Sequence, residues 1–324
     1  MKNVLVTGGL GFIGSRLSNI LRNEGNKVVV FDKQTYAAND PSVLHKDIKL
    51  IIGDICDYYD FKSVLAKEKF DWIIHTAAES HVDNSIESSK AFIDTNVMGT
   101  YTVLDAIKNV SPTTKIIYMS TDEVYGEISE CSEREHFKLD DPINPSSPYS
   151  ATKAAGELAL VAYNKTFGVK GGITRCTNNF GINQNIEKMI PKTIKSIVED
   201  RPVIVYGEGK QERDWLPVDW HCRAIIRFMK VIEGDDEFIN VWNIGAGSPI
   251  SNMDLIHKIH NVLKRKGLKN NLKLEFVEDR LGHDFKYSIA DDTISNLGIN
   301  TKCVYKELVN TIIHYYDMFT GEVK

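Results

Sequence analysis

Residues 2–14 read K-N-V-L-V-T-G-G-L-G-F-I-G, and this stretch decides the fold. Its apolar first half predicts a buried strand, and Gly8, Gly11 and Gly14 follow with G-x-x-G-x-x-G spacing. Glycines allow a tight turn and let backbone N–H groups approach a pyrophosphate at the positive end of a helix. Apolar residues at helical spacing predict that helix over Phe12–Glu24. The stretch therefore predicts a dinucleotide-binding strand–turn–helix unit.

The second strand predicts which dinucleotide is bound. Lys27–Phe31 reads as a strand that ends on Asp32, about 20 residues past the glycines. A carboxylate at this place binds both ribose hydroxyls and repels a 2′-phosphate, so we expect NAD rather than NADP. The adjacent Lys33 weakens this preference a little. The alternative interpretation is a tight turn followed by a surface carboxylate.

Strands alternate with helices along the first half of the chain. The predicted strands are Lys2–Thr7, Lys27–Phe31, Lys49–Ile52, Asp71–His75, Lys115–Met119 and Val169–Thr174. Strands separated by helices indicate a parallel sheet covered on both faces. Beyond about Cys176 the pattern loosens, as in portions that cap the carboxyl ends of the strands. We expect an α/β protein with a Rossmann-like, doubly wound parallel sheet and a smaller mixed α/β C-terminal substrate-binding portion.

Composition excludes several classes of partner. The 324 residues carry a net charge of -5, which argues against nucleic acid as a partner. No apolar run approaches the ~20 residues of a membrane span, and Met1 leads directly into the first strand without space for a signal peptide. The five cysteines are scattered and lack C-x-x-C spacing. They suit a reducing compartment, and we expect a cytoplasmic protein.

Two further stretches carry the chemistry. Residues 120–126 read S-T-D-E-V-Y-G and residues 149–153 read Y-S-A-T-K. Tyr149 lies one helical turn from Lys153, so the ammonium can lower the pKa of the phenol and make it a general base. The adjacent carboxylates Asp122 and Glu123 are two further proton-transfer groups, which hydride transfer alone does not need. The pattern indicates oxidation coupled to loss of water; its alternative is a turn with solvated acids or a helix cap.

The chain resembles the nucleotide-sugar 4,6-dehydratases, which are extended short-chain dehydrogenases/reductases, and among them the dTDP-glucose 4,6-dehydratases. The shared motifs, in the same order, are T-G-G-x-G-F-I-G, S-T-D-E-V-Y-G, Y-x-x-x-K, R-C-T-N-N-F-G, R-D-W-L and E-D-R-x-G-H-D. Related sugar 4-epimerases keep the Tyr and Lys but need no acid pair. An NAD-dependent 4-epimerase is therefore the rival enzyme, and a non-catalytic NAD-sensing protein on the same fold is the rival outside catalysis.

The resemblance implies a role for each catalytic residue. Tyr149 takes the proton of the sugar O4, Thr121 hydrogen-bonds the same oxygen, and Lys153 holds the nicotinamide ribose. Glu123 then removes the C5 proton and Asp122 protonates the departing C6 hydroxyl, which gives a 4-keto-6-deoxy sugar. The resemblance also implies an NAD-binding Rossmann-like domain over residues 1–175. Residues 176–324 would mainly bind the nucleotide sugar, interleaved with the first domain.

The resemblance also supplies binding residues for both ligands. The implied cofactor residues are Gly8, Gly11, Phe12, Ile13, Gly14, Asp32, Lys33, Thr35, Asp54, Ile55, Ala77, Ala78, Thr95, Tyr149, Lys153 and Asn179. The implied substrate residues are Ser80, Asn84, Thr121, Asn178, Lys188, Met189, Val205, Tyr206, Arg213, Asn252, Arg280 and His283. No metal is expected, since His257 and His260 lack a third ligand. Family members are usually homodimers, and we expect the same here.

Departures from the family pattern leave the sugar open. Asn84 stands where bacterial members have Arg, and Ile182–Asn183 replaces Pro and an aromatic residue. If Asn84 faces the hexose, the shorter side chain leaves space for a C2 acetamido group and favours a UDP-linked sugar. From the sequence, dTDP-glucose, UDP-glucose and a UDP-N-acetylhexosamine all remain candidates.

Overall fold

The computed structural model of the chain describes residues 1–234, 239–279, 282–290 and 293–322. The strands are β1 (Asn3–Thr7), β2 (Lys27–Asp32), β3 (Lys49–Ile52), β4 (Trp72–His75), β5 (Lys115–Thr121), β6 (Gly171–Cys176), β7 (Asn178–Phe180), β8 (Val203–Tyr206), β9 (Glu212–Arg213), β10 (Trp215–Pro217), β11 (Asn240–Ile244), β12 (Ile250–Ser251) and β13 (Leu274–Val277). The helices are α1 (Phe12–Asn23), α2 (Tyr58–Lys67), α3 (Val82–Glu87), α4 (Lys90–Phe92), α5 (Thr100–Val110), α6 (Pro148–Phe167), α7 (Met189–Val198), α8 (Val218–Val231), α9 (Asn252–Lys266), α10 (Thr293–Asn296) and α11 (Val304–Thr320).

Seven of the strands in the described ranges form one parallel sheet, in the order β11-β6-β5-β4-β1-β2-β3. The order reverses next to β1, because the chain adds β2 and β3 on one side and then crosses to β4 on the other. Ligands of open α/β sheets bind outside the carboxyl ends of the strands at such a switch point. The predicted fold class is confirmed.

Both faces of the sheet are buried, which explains the continuous apolar runs of its strands. Val4 and Val6 of β1 pack into a core cluster with α1 and α8. Leu5 points to the other face and packs into a second cluster with α2, α5 and α6. The alternation along β1 thus anchors helices on both sides of the sheet.

The strand β11 is absent from the predicted set. Its sequence, N-V-W-N-I, places two Asn residues in a five-residue run, and its first three residues are only half-buried. It occupies the edge of the sheet and, among the described strands, pairs only with β6. An edge strand is less enclosed than a central one, so its sequence needs no continuous apolar run. The C-terminal part of the chain therefore contributes a strand to the main sheet.

The helical stretch between β4 and β5 is divided into several segments. α3 and α4 are separated by Ser88 and Ser89, and a π-helical segment, Ile93–Gly99, precedes α5. Within that segment Asn96 is buried; its amide donates to the Glu79 carbonyl and to Thr152 Oγ1, at 3.0 Å in both cases. The wider turn thus lets one polar side chain tie the loop after β4 to α6.

The rest of the C-terminal portion has its own core. α7, α9 and α11 pack around buried side chains that include Ile194, Ile259 and Ile312. The short parallel pair β8 and β13 lies against the same cluster. No helix in the described part of the chain is long and apolar enough to cross a membrane.

Candidate active site

A cavity of about 300 Å³ opens at the carboxyl ends of the sheet strands. Residues at or just after the ends of β1, β2, β4, β5 and β6 form its floor, namely Gly8, Asp32, Thr76, Thr121 and Cys176. All sixteen residues predicted to bind the cofactor line this one cavity. Their roles stay predictions, but the sheet brings them together.

The glycine turn after β1 has no room for side chains. Gly8 has a φ of +68°, and a Cβ there would lie 2.6 Å from the Ala77 backbone. A Cβ on Gly14 would lie 2.3 Å from the Gly8 carbonyl oxygen. Gly11 is the N-cap of α1, and no side chain of the described residues caps that helix. The amino end of α1 is thus available to an anionic group in the cavity.

Asp32, the last residue of β2, lines the same cavity. Its Oδ2 accepts a hydrogen bond from the Leu10 backbone N–H at 2.9 Å, and its Oδ1 accepts one from the Gln34 N–H at 2.7 Å. Each carboxylate oxygen keeps a lone pair for a further donor. The Lys33 ammonium lies 3.6 Å from the Asp54 carboxylate across the same region. A carboxylate held in this way fits a ribose diol, and with the uncapped helix it fits a dinucleotide.

The acid pair lies in a 3₁₀ turn, Asp122–Tyr125, directly after β5. Thr121 caps this turn, since its Oγ1 accepts from the Glu123 N–H at 3.3 Å and donates to Asp122 Oδ1 at 3.2 Å. Asp122 is buried, and its Oδ2 has no hydrogen-bond partner among the described residues. Thr121 and Asp122 line the cavity, whereas Glu123 is half-buried beside it.

The environment of Asp122 favours the protonated form of its carboxyl. Burial raises the pKa of its carboxyl well above the usual range, and the charges of Glu123 and Asp214 raise it further. The Arg213 guanidinium and the Thr121 hydrogen bond lower this pKa, but by less than burial and the two charges raise it. A neutral carboxylic acid beside a second carboxylate can serve as a proton donor next to a base.

Tyr149 and Lys153 project from the first turns of α6. The helix begins at a capping box formed by Ser147 and Ser150, which fixes where the first turn starts. The Lys153 side chain is buried, and its ammonium lies 4.3 Å from the centre of the Tyr118 ring. Burial lowers the pKa of Lys153 to about 8.

The pKa of the Tyr149 phenol differs from the expectation. Burial raises this pKa well above its usual value, and the charge of Glu123 raises it further, while the hydrogen-bonding contact with Thr121 lowers it. The pKa is thus raised and not lowered, because burial disfavours the charged phenolate. The form of Tyr149 that can accept a proton is therefore the minor phenolate, whose share rises with pH.

His221 is a site residue that the motifs do not identify. It lies on α8, and its Nδ1 is 2.9 Å from Oδ1 of Asn179, a predicted cofactor residue. Burial lowers the pKa of His221 to about 3, so the ring is neutral and Nδ1 donates the hydrogen bond. The Asn179 amide in turn donates to the Thr177 carbonyl at 3.0 Å. The contact joins positions 42 residues apart, and local sequence carries no signal for it.

Some predicted substrate residues surround the mouth of the same cavity. Ser80, Asn178 and Lys188 line it, and the Lys188 ammonium donates to the Ser80 carbonyl at 3.3 Å. Asn84 does not line the cavity. Its exposed amide donates instead to the Tyr36 hydroxyl at 3.2 Å. The structure therefore gives no support to a direct contact between Asn84 and the hexose.

Other predicted substrate residues form a second group in the C-terminal portion. Nδ1 of His283 lies 2.5 Å from Asp279 Oδ1, and its ring packs edge-on against Tyr206. Asn252 begins α9. The Arg213 guanidinium donates to the backbone carbonyls of Glu212, Asp284 and Phe285, and it lies 4.3 Å from the centre of the Tyr287 ring.

Two predicted substrate residues point into the protein core. The side chain of Val205 is buried among α7, α9 and α11, while its neighbours Ile204 and Tyr206 face outward. Met189 packs against the same core. Val205 stays a predicted substrate residue, although strand alternation turns its side chain inward. Arg280 lies outside the described residues.

Known proteins are similar to this chain over most of its length. The sequence pattern of the NAD dependent epimerase/dehydratase family matches residues 4–245. The dTDP-glucose 4,6-dehydratase of Streptomyces niveus is 38% identical over 97% of this chain and 93% of its own length. The low-salt glycan biosynthesis protein Agl12 of Haloferax volcanii is also 38% identical, over 97% of this chain and 98% of its own length.

A solved relative has the same fold. The dTDP-glucose 4,6-dehydratase DesIV of Streptomyces venezuelae, whose crystal structure contains NAD, superimposes with a TM-score of 0.87. It is 32% identical in sequence, and the match covers 99% of both chains.

Proposed function

This chain belongs to the NAD dependent epimerase/dehydratase family, and we propose that it is an NAD-dependent nucleotide-sugar 4,6-dehydratase, a hydro-lyase that acts on a dTDP- or UDP-hexose. One observation carries the choice of activity: the buried Asp122, whose pKa is raised, directly before Glu123 at the cavity. A sugar 4-epimerase requires only the group that exchanges the O4 proton. A regulatory protein that senses NAD requires neither acid. The acid pair therefore favours elimination of water over epimerisation and over NAD sensing.

NAD is held by features already described. The amino end of α1, from Gly11 to Gly14, would take the pyrophosphate, and Asp32 would take the adenosine ribose. Lys153 and the Asn179 amide would lie at the nicotinamide end. When bound, the cofactor supplies oxidation of the sugar at C4 and its later reduction at C6.

The chain's own residues would then move three protons. Tyr149 accepts the proton of the C4 hydroxyl, with the Lys153 ammonium one helical turn away to favour the phenolate. Oxidation at C4 acidifies the C5–H bond, so Glu123 removes that proton and gives it back to C5 when the C5–C6 double bond is reduced. Asp122 donates its proton to the C6 hydroxyl, which leaves as water. The product is a 4-keto-6-deoxy sugar, and the overall reaction involves no net oxidation.

The second group of residues suits the nucleoside diphosphate. Arg213 brings a positive charge to this group, with its guanidinium held by three backbone carbonyls, and Tyr206, Asn252 and His283 lie on neighbouring C-terminal elements. We infer that residues 1–175 mainly bind NAD and residues 176–324 mainly bind the nucleotide sugar. The two parts are interleaved, in keeping with the position of β11 in the main sheet.

We also propose a cytoplasmic homodimer. Leu158 on α6 and Tyr101 on α5 are large side chains with 59% and 47% of their surface exposed. Phe167 at the end of α6 and Met98 in the π-helical segment before α5 are exposed as well. Two packed copies of this surface would cover it, since exposed apolar patches mark interaction sites. The described cysteines are all free thiols, which suits a reducing compartment.

We expect NAD to bind in preference to NADP, and we expect the Asp32→Asn variant to lose that preference. The amide can still accept from a neighbouring backbone N–H but no longer carries the charge that repels a 2′-phosphate. The ratio of the two dissociation constants, measured by titration, should shift by about tenfold or more, as for loss of a hydrogen bond to a charged group. Equal wild-type affinity for the two cofactors would show that Asp32 does not bind the ribose.

The activity is tested by product mass. Purified protein with NAD is incubated separately with dTDP-glucose, UDP-glucose and UDP-N-acetylglucosamine. We expect a product lighter by one water from at least one sugar, with dTDP-glucose included because the relatives are named for it. An unchanged mass with altered configuration would identify an epimerase instead, and absence of turnover on all three would favour the sensor.

A further inference from the structure

The buried Arg175 joins two elements that carry proposed catalytic residues. It is a buried residue of β6, and its Nε and Nη2 donate to the Glu157 carboxylate at 3.1 Å and 2.7 Å. Its Nη1 donates to the Tyr125 hydroxyl at 2.6 Å, and the guanidinium lies 4.6 Å from the centre of that ring. One fork thus holds a carboxylate on one side and a phenol on the other.

The two partners of Arg175 belong to the elements that carry the proposed proton-transfer groups. Glu157 lies on α6, one helical turn beyond Lys153 and two turns beyond Tyr149. Tyr125 is the last residue of the 3₁₀ turn that begins with Asp122. The Arg175 fork therefore connects the helix of the base to the turn of the acids.

A second hydrogen bond and a ring contact also hold the Tyr125 side chain in place. Its hydroxyl accepts from Arg175 and donates to Asn243 Oδ1 at 2.9 Å, so both of its hydrogen-bonding capacities are used. Its ring stacks on Phe137, with centroids 5.2 Å apart and planes 9° from parallel. The Asn243 amide donates onward to the Ala290 carbonyl at 3.3 Å. The network therefore extends from α6 through the acid turn to the C-terminal portion.

Because the Glu157–Arg175 ion pair is buried, we expect its role to be orientation of side chains and not stabilisation of the fold. Glu157 and Arg175 are both almost fully buried, and removing two charges from water offsets most of their mutual attraction. Apolar side chains of similar volume would serve packing as well. A bidentate pair, in contrast, fixes distance and orientation, because its two hydrogen bonds allow one geometry.

We propose that Glu157, Arg175 and Tyr125 form a positioning network that sets the acid pair relative to Tyr149. A sugar aligned for oxidation at C4 would then have its C5 and C6 within reach of the acids without moving. The proposal rests on the dehydratase function proposed above. It assigns no proton transfer to the three residues themselves.

The test is Tyr125→Phe, which removes the hydroxyl and keeps the ring on Phe137 and under the guanidinium. In single-turnover experiments on the NAD-loaded enzyme with dTDP-glucose, C4 oxidation should stay within about threefold of wild type. Elimination should slow by about tenfold or more, since small misplacements of a catalytic group have large effects on rate. Reduced nicotinamide should therefore accumulate, and the mass-shifted product should appear late.

Two further variants complete the design. Glu157→Gln keeps the shape of its side chain but removes the countercharge of Arg175, and it should shift the balance of the two steps in the same direction. Thr114→Val is the control: it removes a buried hydrogen bond to the Phe70 carbonyl, 2.7 Å long, at the opposite end of β5. The control should leave the balance unchanged.

The outcomes separate the two proposals. If Tyr125→Phe slows both steps in parallel, or slows neither, the network does not position the acid pair and the inference is overturned. If the wild-type enzyme yields no product lighter by one water from any of the sugars, the proposed function itself has failed. Added to Asp122→Asn, the Tyr125→Phe change should slow elimination no further, because it acts through the acid turn.

Discussion

We expect the Asp122→Asn enzyme to lose water about 10²–10⁴-fold more slowly than wild type while it still oxidises the sugar at C4. The amide fills the same space and can still accept the hydrogen bond from Thr121, but it has no acidic proton for the C6 hydroxyl. Reduced nicotinamide should build up on addition of substrate and decay slowly. Stopped-flow absorbance and product mass measure the two steps separately.

The thermal stability of Asp122→Asn distinguishes a loss of its catalytic proton from misfolding. The pKa of Asp122 is raised in the folded protein, so the folded state binds this proton more tightly than the unfolded chain. The contribution to the free energy of unfolding is therefore present at low pH and is lost as the pH rises through the folded pKa. An amide does not ionise, so Asp122→Asn should melt at the same or a higher temperature than wild type at alkaline pH.

The control for this variant is Asp200→Asn. Asp200 is an exposed carboxylate, 2.7 Å from the Lys273 ammonium, and its φ of +55° suits Asn as well as Asp. Both steps should remain at wild-type rates. An Asp122→Asn enzyme that stopped C4 oxidation and spared elimination would show that the roles are assigned wrongly.

The pH dependence of elimination has a defined sign. Asp122 must be protonated to act, so the wild-type rate of water loss should fall as the pH rises through its raised pKa. The residual elimination in Asp122→Asn should lack this decline, because the titrating group is gone.

The sheet was largely predictable because its strands are buried on both faces. β1 to β6 are apolar runs between turn signals, and the glycine turn and Asp32 follow from the needs of a tight turn and a ribose diol. β11 was not predictable, since an edge strand with two Asn residues has no such run. The π-helical segment around Asn96 was also not predictable from the sequence, because it depends on contacts of the Asn96 side chain with the Glu79 backbone and α6.

The candidate site was predictable in its members but not in their environment. The motifs identify Thr121, Asp122 and Tyr149, whereas the raised pKa values of the last two depend on how much protein surrounds them. In β8 the letters V-I-V-Y cannot show which face is inward, because three of the four side chains are aliphatic. The contact between His221 and Asn179 likewise arises only when α8 packs beside the cavity.

Tyr149→Phe should have the opposite signature to Asp122→Asn. Without the phenol no group accepts the proton of the C4 hydroxyl, so C4 oxidation itself should fall about 10²–10⁴-fold. Neither reduced nicotinamide nor the lighter product should form at an appreciable rate. Phe keeps the edge-on contact with the Phe92 ring, whose centroid is 6.4 Å away, so folding should be preserved.

The pH dependence of C4 oxidation should also oppose that of elimination. Because burial raises the pKa of the Tyr149 phenol, its reactive phenolate becomes more populated as the pH rises. The rise should end near pH 8, where Lys153, with a pKa of about 8, loses the charge that favours the phenolate. Tyr59→Phe, on the exposed surface of α2, is the matched control and should retain the wild-type profile. A Tyr149→Phe enzyme that still reduced NAD at the wild-type rate would remove Tyr149 from the mechanism and leave Lys153 or Glu123 as the base to be tested next.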